Sequence, residues 1–228
     1  IPDHPPTMVG GVHQRWITRP FVPFPEELSP SDRRYYRNYL FQARSEEHAE
    51  DLVDCQGMRL YKGWSARLLM LFVFERVESK VDRAMELASE LATALAGDRA
   101  DRYRDLEHRL QILSCLHTNC RNAIDYQAIR DQVESRESAV EPSPALGTRS
   151  SWEREFILET ARAEVDNTVR LIELLENAEG DVIYQADSEA GEDIRRLGPN
   201  LVGELEQKIE IMDDHWTDYK RLFTQPNP

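Results

Sequence analysis

Residues Ser65 to Ala96 read SARLLMLFVFERVESKVDRAMELASELATALA, and this stretch decides the fold. Leu69, Val73, Val77, Val81, Ala84, Ala88, Leu91 and Leu95 recur every three or four residues, the period of a helix face. Gly97-Asp98 ends this helix and starts another. Tyr103, Leu106, Leu110, Leu113, His117, Cys120, Ile124 and Ala128 then carry the same spacing to about Arg136. At the rise of an α-helix each spans roughly 45–60 Å, which suits an antiparallel hairpin inside an elongated bundle.

Working outward, Glu141-Pro-Ser-Pro-Ala-Leu-Gly147 is the clearest break. Ser150 with Glu153 resembles a capping box. The helix it starts has Leu158, Ala161, Val165, Val169, Ile172 and Leu175 as its stripe. Val182-Ile183-Tyr184 reads as a short strand within a polar connection. A last helix follows, with Leu201, Leu205, Ile209, Met212, Trp216, Tyr219 and Phe223 as an uninterrupted apolar line and Glu204–Lys208 as a surface pair. Trp216 is expected to close the core. The fold class is all-α: an elongated antiparallel bundle of four long helices (65–96, 98–136, 151–177 and 200–223) with shorter N-terminal helices. One of these starts at Pro30-Ser31-Asp32 and another runs from Ser45 to Gly57. Seven of the twelve prolines fall in residues 1–30, so that segment is a Pro-rich extended arm and 31–228 is the bundle domain.

Composition narrows the function. The net charge is −14, and from Ser151 onward there are 19 acids and 8 bases. A chain this acidic repels phosphate, which excludes nucleic acid and disfavours anionic membranes. The longest apolar run, Leu68 to Phe74, is seven residues where a membrane span needs about 20. Three cysteines form no disulfide framework. The chain starts at Ile1, which reads as a processed product or a piece of something longer, and nothing marks a compartment.

Catalytic signatures are absent: there is no phosphate loop, G-x-S-x-G, H-E-x-x-H, C-x-x-C or Glu-x-x-His pair. No metal and no cofactor is expected. His117 and Cys120 share a stripe but find no marked co-ligands. With Asn119 and Asn122 they read better as a polar core network. The arm is richer. His13, Arg15, Trp16, Arg19 and Tyr36 set flat rings beside fixed donors, a combination that suits a sugar ring or a carboxylate-bearing ligand. The same rings could simply glue the arm to the bundle.

Two stretches, RWITRPFVPFPEEL (15–28, running on to Tyr36) and KIEIMDDHWTDYKRLF (208–223), are similar to the helical region after the catalytic barrel of large α-glucuronidase-like glycoside hydrolases. The resemblance implies a non-catalytic helical domain of a larger carbohydrate-active enzyme, serving packing, dimerisation or cleft completion. Its partners would be the rest of that polypeptide, a second copy, or a carbohydrate. It carries no catalytic residue onto this chain. The alternative is a self-standing helical bundle that binds a small ligand or a partner helix. The arm separates them: a domain piece leaves the arm's aromatics poorly covered, whereas a self-standing bundle buries them.

Overall fold

A computed structural model describes residues 16–33, 63–137, 151–180, 182–188 and 197–224. The expected helices between 31 and 57 lie outside the described residues, apart from a turn at 30–33, and so do His13, Arg15 and Tyr36. Among the described residues the molecule is helical, with no strand: α1 (Gly63–Ala94), α2 (Asp98–Glu137), α3 (Ser151–Glu176), α4 (Leu201–Asp214) and α5 (Asp218–Thr224). Two 3-10 turns, Trp16–Thr18 and Pro25–Glu27, shape the arm. No helix among them is long and apolar enough to cross a membrane.

The α1–α2 hairpin turns at Gly97, whose φ of +59° is a left-handed conformation that glycine adopts without the Cβ penalty. Down the pair, Arg121 reaches Glu78 at 3.1 Å and the His117 ring meets Phe74 edge-on at 6.4 Å. Helix α3 returns antiparallel along another side of α2. His108 Nε2 lies 2.8 Å from the carbonyl of Leu174, and Asn167 Nδ2 donates to the carbonyl of Cys115 at 3.0 Å. Helix α4 packs on α3 and on the arm.

Three expectations are corrected. Helix α3 is turned from the stripe read off its apolar residues. Its buried line is Ile157, Ala161, Glu164, Thr168 and Leu171, while Val169 is 41% exposed. The polar members of that line hid it, because a periodicity count skips charged positions. The last helix is two pieces. The chain tightens after Asp214, with Trp216 N bonding to the carbonyl of Asp213 and the Asp218 carboxylate taking His215 Nδ1 at 2.8 Å. The apolar line stays in phase across the break. Tyr184 contributes only to an isolated contact, its carbonyl accepting from Leu197 N at 3.0 Å, and its side chain is exposed.

Candidate functional site

The arm begins its described course at Trp16 and lies in a trough walled by α2 and α4. Trp16, Ile17, Phe21 and Val22 are almost wholly buried there. Phe21 stacks on Tyr126 at 4.9 Å. The Trp16–Thr18 turn gives the Trp16 carbonyl a backbone bond from Arg19 N at 3.1 Å, but the buried arm forms no ladder, and its carbonyls call on side-chain donors as well. Three such donors serve them. Asn119 Nδ2 donates to the carbonyl of Trp16 at 3.3 Å, Lys208 Nζ to that of Ile17 at 2.8 Å, and the Tyr219 hydroxyl to that of Phe21 at 2.8 Å.

Behind these donors sits a fully buried charge pair. Lys208 and Glu164 are each 0% exposed, and the Lys208 amine donates to Glu164 Oε1. The same carboxylate accepts from Asn119 Nδ2 at 2.6 Å and, through Oε2, from Asn122 Nδ2 at 2.8 Å. Asn119 is held in one amide orientation, because a flip would set Oδ1 against two acceptors, Glu164 Oε1 and the carbonyl of Trp16. Its Oδ1 is buried without a hydrogen-bond partner among the described residues. Burial pushes the Lys208 amine below the usual lysine range, and the Glu164 carboxylate opposes that shift. Cys120 lies in the same field, its thiol pushed well up by burial and by Glu164. A thiol so shifted is an inert core group. At the arm's far end Arg221 grips Glu27 with two nitrogens, at 2.8 and 2.5 Å.

Lys208 therefore does not make the surface pair with Glu204 that the sequence suggests. A signal for this was present: Lys208 falls between Leu205 and Met212 on the apolar line, and Glu164 falls between Ala161 and Thr168 on α3. A charge at a core position asks for a buried counter-charge. Asn119 and Asn122 do join a polar core network, but its partners are Glu164 and Lys208. His117 stands apart, half-buried against Phe74.

Of the five residues proposed for ligand binding, the structure describes Trp16 and Arg19. Both are in the interior, at 2% and 0% exposure. Among the described residues no group of three or more histidine, cysteine, aspartate or glutamate side chains is placed to hold a metal ion. No family model, curated protein or solved structure matches this chain. The chemistry of the buried cluster is thus what the site itself offers: it holds a backbone segment by its carbonyls.

Proposed function

We propose that this chain is a non-catalytic helical unit that works through its surfaces, by packing against a helical partner or by dimerising. The observation that carries the reading is the commitment of Lys208, Asn119 and Tyr219 to the carbonyls of the chain's own arm. An arm meant to complete the cleft of a neighbouring domain would offer Trp16 and Phe21 outward. Here they are covered by α2, α3 and the final helices, which supports a self-supporting bundle over a cleft-lining piece. Joined to a catalytic barrel, as the resemblance of 15–36 and 208–223 to glucuronidase-like hydrolases implies, such a unit would serve packing or dimerisation. By itself it would bind a partner helix.

Hydrogen exchange read by mass spectrometry tests this directly. The amides of Ile17 to Val22 should exchange slowly in the full chain, and glucuronic acid should leave them unchanged. Exchange as fast as in a free peptide, or protection gained only with the sugar, would overturn the proposal.

A further inference from the structure

Lys208 Nζ and Asn119 Nδ2 converge on a single atom, Glu164 Oε1, the amine in close contact and the amide at 2.6 Å. All three side chains are 0% exposed. They stand on three different helices, α4, α2 and α3, so only the folded chain brings them together. Each nitrogen is pinned by a second bond to the arm, the amine to the Ile17 carbonyl at 2.8 Å and the amide to the Trp16 carbonyl at 3.3 Å. The Phe21 ring covers the amine, its centroid 5.5 Å from Nζ. Asn122 Nδ2 holds the other carboxylate oxygen, Oε2, at 2.8 Å and leaves Oε1 to the first two groups. A primary amine, a carboxamide and a carboxylate that bonds both are thus shut away from solvent. Amide exchange needs these three parts: a nucleophile, an acyl carbon with a replaceable nitrogen, and a proton carrier between the two nitrogens. Fixing them side by side removes the entropic cost of their meeting.

We infer that the chain links itself by an amide bond between Lys208 Nζ and Asn119 Cγ, releasing ammonia, with Glu164 carrying the protons. Glu164 Oε1 first takes one proton from the Lys208 ammonium and frees the Nζ lone pair. Burial, which pushes this amine below the usual lysine range, makes that neutral pair accessible. Nζ attacks Cγ, the Nζ–Cγ bond forms, and the carbonyl electrons move onto Oδ1. Glu164 passes its proton to Nδ2 and takes a second one from Nζ. The Cγ–Nδ2 bond then breaks, the carbonyl re-forms, and Nδ2 departs as neutral ammonia. Nothing is oxidised or reduced, and no co-reactant is consumed. Glu164 is left protonated, and its O–H is the donor that Asn119 Oδ1, buried without a partner, now lacks. The reaction therefore replaces a buried charge pair with neutral groups and serves an orphaned acceptor. It also closes a loop of about 90 residues, which restricts the unfolded chain as a disulfide of that span does. The charged pair is the resting state, so the reaction is slow and freshly made chain is largely unlinked.

Mass spectrometry of the full chain, sampled through days of incubation under native conditions, tests the inference. The 26.5 kDa chain should lose the mass of one ammonia, in a fraction that rises with time. Trypsin should then leave Lys208 uncut and yield one species that joins Leu110–Arg121 to Leu197–Lys220, with fragment ions placing the link on Asn119. Chain kept in guanidinium chloride should hold its full mass, because only the fold assembles the three groups. Glu164→Gln should slow the linkage at least tenfold while its circular dichroism stays helical. Should that variant fail to fold, the comparison of native with denatured parent carries the test without it. A parent chain that keeps its full mass throughout overturns the inference. So does ammonia lost without a cross-linked species, a link that maps to Asn122–Arg130 instead, or linkage that proceeds equally in denaturant or in folded Glu164→Gln. The bond stands or falls apart from any partner of the helical unit, whose own test is the exchange of the arm amides.

Discussion

Removing the Lys208 amine strands a wholly buried Glu164 carboxylate whose other side-chain hydrogen-bond partners, Asn119, Asn122 and Thr168, are all neutral. Lys208→Met should therefore lose about 3–5 kcal/mol in urea unfolding, the usual cost of breaking a buried pair from one side. Lys208→Met combined with Glu164→Leu should recover most of that loss, since the pair's desolvation cost disappears with it. A double-variant loss equal to the sum of the Lys208→Met and Glu164→Leu losses would show the two groups to be uncoupled. His117 gives a second expectation at this scale. Burial lowers its pKa below 6.5, so just below pH 6.5 the unfolded chain binds more protons than the folded one. Stability should fall as pH drops through that window, and the fall should be shallower in His117→Gln. A pH profile shared by parent and variant would remove His117 as the cause.

Trp216 and Tyr219 sit three residues apart on the final apolar line, but they are buried to different degrees. Tyr219 is 2% exposed, whereas Trp216 is half-buried, its ring 5.3 Å from Tyr219 and 5.5 Å beneath the Arg162 guanidinium. Trp216→Ala should cost about 2 kcal/mol in urea unfolding, short of the 3–5 of a wholly buried ring. A cost at the full value would mean that the α4–α5 turn closes more tightly over the core than the structure shows. The three longest helices and the bundle were legible in sequence because a helix records its partner's side in its own period. The structure starts α1 at Gly63 and ends α3 at Glu176, close to where the periodicity places them. What stayed hidden was whatever depends on a distant partner. The turn of α3 follows from Glu164, which reads as surface until Lys208 is found beside it. The two-sided burial of α2 was half visible, since the line Ile112, Cys115, Asn119, Asn122 and Tyr126 mixes polar with apolar residues. The arm's aromatics announced burial, but no local pattern says where an extended segment docks.

At the scale of the whole molecule, the arm's hydrogen bonds join residues 191 and 198 positions apart, Ile17 with Lys208 and Phe21 with Tyr219. Helix α2 can pair with α1 across a turn of a few residues. Asn119 on α2 can meet the arm early, but the other two donors, Lys208 and Tyr219, stand on the last described helices, so docking is complete only after those have formed. Such long-range closure is entropically slow, and it is rewarded only after the local helices have formed. On a ribosome the interval is longer still. At about 5–20 residues per second, some 10–40 s separate the emergence of Ile17 from that of Lys208. Until then Trp16, Ile17, Phe21 and Val22 have at most the α2 wall of their trough and remain open to chaperones. The arm is thus made well before its docking site is complete, and its rings stay incompletely covered over that interval.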